Sequence, residues 1–262
     1  MAYLQLYWML SKKIHDKLVK IEMILARQIG RIMSSSQKLN VLDTIGYVEL
    51  LEKFGDDLTV VNAARVSFAK ESKEFTEQDA KLIRYLAKHH HVTPFFHPQL
   101  RFRIKMPIFV AREWFRHQIG FARNEVSRRY VDSPPECYIP EPDAIRARDP
   151  KLKQGSKSEP VDESVVAHKH MSEITEEAID VYNTLLKTGV APEVARMVLP
   201  QSMYTEFIET GSLAAYARLC GLRLDLTAQK EIRDYATAVD KLLREAFPVS
   251  WPALMPQETA GV

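Results

Sequence analysis

Cysteine, glycine and long apolar runs are all scarce in this chain, and each scarcity removes a class of function. Among 262 residues there are two cysteines, Cys137 and Cys220, far apart and in no paired spacing. That excludes a disulfide framework, argues against a structural zinc site and makes a reducing compartment the default. The nine glycines, from Gly30 to Gly261, build neither a dinucleotide fingerprint nor a phosphate-cradling loop. Any bound phosphate must therefore be held by side chains. No apolar run reaches the roughly 18–20 residues that span a bilayer. The short apolar segment 3–10 has no convincing cleavage site after it. The expectation is a cytoplasmic protein with no membrane partner.

Charge is unevenly spread. The net charge is +2, yet residues 1–33 hold six Lys and Arg against Asp16 and Glu22, so the remainder is slightly acidic. An acidic body with one local arginine cluster does not suit a general nucleic-acid binder. Residues 1–37 also end in the polar run Ser34-Ser35-Ser36-Gln37, directly after Met33. They read as an N-terminal extension, either an amphipathic helix or the product of an upstream start with Met33 as the natural initiator. One domain is expected over 38–262, large enough for a real core.

What is present is concentrated at 112–130. Arg112, Arg116, Arg123, Arg128 and Arg129 surround His117 and a single Gly120. Guanidinium groups fit phosphate and carboxylate bidentately and keep their charge. The interleaved Asn124, Glu125 and Ser127 add acceptors and neutral donors that a plain cationic patch does not need. Together they suit a phosphorylated, hydrogen-bonding ligand such as a nucleotide. Arg196 and Arg223 lie in apolar settings, either as snorkelling surface residues or as partners of a bound anion.

The elements follow from spacing. Val60–Phe68 is a short helix or strand. Thr76 caps a helix through Ala87, which runs into His89-His90-His91 before Thr93-Pro94 breaks it. Gln99–Met106 alternates as a half-buried strand. Pro107 opens a helix over Ile108–Gln118, closed near Gly120. Residues 141–164 read as a polar loop. A long helix follows from Val166 to Leu186, with Gly189 as its stop. A short helix starts at Pro192, and Met203–Ile208 is strand-like. Ser212 caps a helix to Leu219, and Ala228–Phe247 forms a final amphipathic helix. The class is α+β, a central, mostly antiparallel sheet surrounded by helices.

These motifs, in this order, resemble the flavin-dependent thymidylate synthases over about Leu39 to Phe247. The residues that carry the resemblance are Ala64-Arg65-Val66-Ser67-Phe68, His91-Val92-Thr93-Pro94 and Pro107 to Arg112. Arg116-His117-Gln118 with Asn124-Glu125-Val126-Ser127-Arg128-Arg129-Tyr130, Glu193 to Arg196, and Leu222-Arg223 complete them. Two departures stand out: Gln118 occupies the place of the second arginine in the family's Arg-His-Arg hallmark, and one extra residue precedes Ser127.

The resemblance implies an enzyme that makes dTMP from dUMP. In it, 5,10-methylenetetrahydrofolate gives the carbon and FAD, reduced by NADPH, gives the hydride. It implies Ser67, Thr93, Arg116, His117, Gln118, Glu125 and Leu222 at the cofactor. It puts Glu113, Glu125, Ser127, Arg129, Arg196, Arg223 and His91 at the substrates, with Arg223 and Ser127 catalytic. It also implies a homotetramer with sites shared between subunits, and neither a metal nor a nucleic-acid partner. Two alternatives remain at this point. One is an oligonucleotide-binding module stacking bases on Trp114, Phe115, Phe121 and Tyr130. The other is a flavoprotein that oxidises NADPH without methylating. Arg123 and Arg128 are the candidates to replace the charge lost at Gln118.

Overall fold

The computed structural model describes residues 37–255 apart from 132 and 151–154. The extension expected over 1–37 therefore lies outside the described residues, except for Gln37. The strands are β1 (Gln37–Asn40), β2 (Tyr47–Phe54), β3 (Gln99–Pro107), β4 (Phe121–Glu125), β5 (Arg146–Arg148), β6 (Ser156–Pro160) and β7 (Tyr204–Ser212). The helices are α1 (Asp57–Arg65), α2 (Glu77–Lys88), α3 (Ile108–Trp114), α4 (Ser164–Lys187) and α5 (Pro192–Ala195). They continue with α6 (Leu213–Arg223), α7 (Lys230–Ala246) and α8 (Ser250–Leu254).

Five strands form one sheet in the order β1-β2-β3-β7-β4. The pairings of β2 with β3, β3 with β7 and β7 with β4 are all antiparallel. The α+β expectation therefore holds. β3 sits at the centre because its alternation supplies Leu100, Phe102, Ile104 and Met106 to one face, each 1% exposed or less. These join Ile232, Tyr235, Val239 and Leu243 of α7 and Tyr216 and Leu219 of α6 in one core. Among the described residues no helix is long and apolar enough to cross a membrane.

Capping chemistry sets the helix starts. Thr76 accepts from the Asp79 amide while Asp79 accepts in return from the Thr76 amide, and Ser212 accepts from the Ala215 amide. Gly189 ends α4 at φ +87°, as the sequence predicted.

Of the two alternatives for Val60–Phe68 the helix holds, with α1 running into a 3-10 turn over Val66–Phe68. Three local expectations need correction. α3 stops at Trp114 instead of Gln118, because the chain must reverse at Gly120 (φ +82°) to lay β4 against β7. Strand β7 runs on to Ser212, since Glu209 and Gly211 continue its inward face. Residues 141–164 are not a plain loop, for β5 and β6 pair in a second small sheet. That hairpin is fixed to α7 by Arg146, whose Nη2 donates to both Glu231 carboxylate oxygens at 2.8 and 3.0 Å.

Candidate active site

The turn after α3 and the end of α6 meet at three side chains. Arg223 donates from Nε to His117 Nε2 (3.0 Å), from Nη1 to Glu113 Oε2 (3.2 Å) and from Nη2 to the Glu113 carbonyl (3.3 Å). Glu113 comes from the last turn of α3 and His117 from the turn that follows. The reversal at Gly120 that follows packs against α6, where an added Cβ would stand 3.0 Å from the Cβ of Ala215. An arginine has five N–H donors, so three fixed bonds leave two for a ligand.

His117 is half-buried. Burial, then the charges of Arg223, Arg123, Arg218 and Arg116, lower its pKa from 6.5 to about 4. Its Nε2 already accepts from Arg223, so a proton there would set two donors against each other. Near neutral pH His117 is an uncharged imidazole carrying its hydrogen on Nδ1.

Glu113, Arg116, Leu222 and Arg223 line a cleft of about 1040 Å³. The opposite wall is the hairpin, through Arg146, Ser156, Lys157 and Ser158, and the start of α7 adds Lys230 and Arg233. Most of these cations are engaged: Arg146 with Glu231, Lys230 with Asp234 and Arg233 with the Leu226 carbonyl. Arg116 and Lys157 make no ion pair among the described residues. The cleft is thus positively biased, with donors left over for an anion. The hairpin's contribution was missed in the sequence. The available signal was Arg146-Ala147-Arg148, an alternating basic triplet inside the segment read as a loop.

A second cleft, about 490 Å³, lies against β4 and β7. Glu125, Arg128 and Arg196 line it together with Glu193, Met197 and Thr205. Glu125 Oε1 accepts from Thr205 Oγ1 at 2.6 Å. Arg128 bonds to the Ser133 and Pro134 carbonyls, which leaves its charge uncompensated. Arg123 instead pairs with the fully buried Glu209. Of the two candidates to replace the charge missing at Gln118, Arg123 is neutralised and Arg128 is not.

The remaining candidates lie elsewhere. Ser127 accepts from the Arg129 amide (3.3 Å) beside the second cleft, between the lining residues Val126 and Arg128. Arg129 is exposed over the Tyr130 ring, and Gln118 is exposed in the turn. Ser67, His91 and Thr93 are exposed and line neither cleft. His91 lies edge-on to Tyr85, with ring centroids 6.1 Å apart. Thr93 opens a 3-10 turn that packs between α1 and α6. One chain thus assembles two groups of predicted residues and leaves a third apart. Among the described residues no group of His, Cys, Asp and Glu is arranged to hold a metal ion.

The base-stacking alternative loses most of its platform. Trp114 is fully buried, while Phe115 and Phe121 pack edge-on against Phe207 and Tyr216; Tyr130 is exposed.

Residues 49–249 match the family described as "Thymidylate synthase complementing protein". A flavin-dependent thymidylate synthase of Thermus thermophilus is 42% identical over 221 residues, covering 84% of this chain and 79% of that one. The chain belongs to the flavin-dependent thymidylate synthase family. A relative of the same description from Thermotoga neapolitana is 41% identical over 218 residues, covering 83% of this chain and 94% of its own. Among solved structures, the UMP/dUMP methylase PolB of Streptomyces cacaoi, bound with 5-Br dUMP, superposes with a TM-score of 0.72 at 30% identity. That match covers 79% of this chain and 94% of PolB. The protein is accordingly an enzyme, a methyltransferase and a flavoprotein by family.

Proposed function

We propose that this enzyme converts dUMP to dTMP, with 5,10-methylenetetrahydrofolate as carbon donor, FAD as cofactor and NADPH as reductant. The observation that carries this reading is Arg223, held by Glu113 and His117 in the wall of the larger cleft with two donors unspent. Methylation at C5 of uracil builds negative charge on the ring oxygens. Fixed donors that need no reorganisation stabilise such charge best. In a homotetramer with shared sites, Arg223 of one chain would fill that role toward dUMP held at the second cleft of a neighbouring chain, and neutral His117 would hold it without adding a competing charge.

The cleft suits a phosphate-bearing cofactor, because Arg116 and Lys157 have no carboxylate partner among the described residues and the volume is large. Arg116, His117 and Leu222 would hold FAD there, and when bound FAD supplies the hydride. Glu125, Ser127, Arg129 and Arg196 would bind dUMP at the second cleft, with Arg128 adding the charge that Gln118 lacks. Ser127 is the second candidate catalytic residue. Its hydroxyl, which accepts from the Arg129 amide, would hydrogen-bond the nucleotide.

A homotetramer with shared sites accounts for the division of these residues. Ser67, Thr93 and His91 would complete the cofactor and folate site of a neighbouring chain. The exposed apolar residues of α4 support assembly: this 24-residue helix buries Thr175 and Tyr182 alone and exposes Val165, Val166, Met171, Ile174 and Val181.

The purified protein should show flavin absorbance and release the hydrogen at C5 of uracil in a dUMP-dependent reaction. A protein without flavin, or one that oxidises NADPH without that release, would refute the reading.

A further inference from the structure

Glu209 is a carboxylate at 0% exposure in the middle of β7, where its neighbours on the inward face are Phe207 and Gly211. Burial pushes its pKa up, against the opposing pull of Arg123. Arg123 lies directly across the ladder, since the register pairs Phe121 with Gly211, Arg123 with Glu209 and Glu125 with Phe207. Trp114 Nε1 donates to both Glu209 oxygens at 3.2 Å, and the Arg123 guanidinium carbon stands 4.8 Å from the Phe121 ring and 5.3 Å from Phe115. This is a desolvated network on the inner face of the sheet, in which Arg123 Nη2 is buried without a hydrogen-bond partner among the described residues.

Strand β4 has few other means of choosing its register. It is five residues long, it lies at the sheet edge with a single neighbour, and its outward residues Ala122 and Asn124 are exposed. Phe121 holds its first residue, seated over Gly211, where an added Cβ would stand 2.5 Å from the ring. Its second half is held by the bond from Thr205 to the exposed Glu125 and by the Arg123–Glu209 pair, and only the pair involves a fully buried carboxylate. A slip of one residue would set Ala122 or Asn124 against Glu209 and leave a buried carboxylate unpaired. Desolvation makes that costly, and fixing a register is the best-attested use of a buried ion pair.

We infer that the Arg123–Glu209 pair is a positioning device that locks β4 in register and so places Glu125 and Ser127 at the second cleft. The inference rests on the dUMP reading of that cleft. Two positions after Arg123 the chain delivers Glu125 to its bond with Thr205. One residue later the Val126 amide bonds to the Glu206 carbonyl (2.8 Å), and Ser127 follows immediately. The pair acts through the strand: neither Arg123 nor Glu209 lines the cleft.

The test uses full-length protein and three readouts: urea unfolding, dUMP dissociation constant and hydrogen exchange at the Val126 amide. Arg123→Leu and Glu209→Leu, made singly, each leave a buried charge alone and should lower stability. The double variant removes both charges and should regain most of that stability. It should still bind dUMP about tenfold more weakly and exchange Val126 about tenfold faster. A double variant that binds dUMP as wild type does would overturn the inference, because the pair would then be stabilising without positioning. Glu209→Gln keeps the acceptor for Arg123 and Trp114 and should hold dUMP affinity within about threefold. A tenfold loss there with Val126 exchange unchanged would also overturn it. Failure of wild-type protein to bind dUMP at all would instead count against the proposed function.

Discussion

Arg223 donates from Nε to Nε2 of His117 across 3.0 Å, joining the end of α6 to the turn after α3. The two groups lie 106 residues apart in sequence, and each limits what the other can do. The arginine fixes the imidazole tautomer and suppresses its protonation. The imidazole and Glu113 together hold the guanidinium at the cleft wall.

His117 should therefore titrate near pH 4, well below its ordinary 6.5. The unfolded chain takes up this proton first as pH falls. His117 thus has no effect on stability above 6.5 and lowers it progressively between 6.5 and about 4. Imidazole chemical shifts followed by NMR check the value. Arg223→Gln should move it upward, and an unshifted His117 in that variant would contradict the assignment.

Arg196 is exposed in the second cleft, where its Nε donates to the Glu193 carbonyl, a neutral acceptor, at 3.3 Å. Its charge is therefore available to a ligand. Arg196→Ala should raise the KM for dUMP by about tenfold or more, the size of one charge-assisted hydrogen bond, with thermal stability unchanged. Steady-state kinetics beside a melting curve separates the two effects.

The Arg146–Glu231 bond attaches the hairpin to the body, with side chains 15% and 9% exposed. Glu231→Leu would strand Arg146 in a poorly solvated setting and should cost about 3 kcal/mol in urea unfolding. The hairpin wall would loosen with it, so cofactor affinity should fall in the same variant. Arg146→Leu combined with Glu231→Leu should recover part of the stability.

Legibility in the sequence followed the range of the forces involved. β3, α2, α4 and the caps at Thr76 and Ser212 were readable because alternation, helical spacing and capping are local. β4 was not readable, because Phe121–Glu125 has no apolar alternation and becomes a strand through Glu209, 86 residues away from Arg123. The same distance hid the role of Arg123, which resembled its neighbours in the arginine cluster until its carboxylate partner was located. Candidate site residues were named by resemblance to a family, but their division between two clefts and the remote Ser67, His91 and Thr93 is a tertiary fact. The hairpin cations were hidden by a segment whose polarity resembles that of a loop.

The proposed role of Arg223, as held by His117 and Glu113, is in methylation of dUMP. It is tested most directly by dTMP yield under anaerobic conditions with dUMP, 5,10-methylenetetrahydrofolate and NADPH. Wild-type protein should form dTMP in step with NADPH consumed, and Arg223→Ala should reduce the rate by about 100-fold or more while keeping its flavin. NADPH oxidation with no dTMP from the wild type, or an Arg223→Ala variant as active as wild type, would contradict the account.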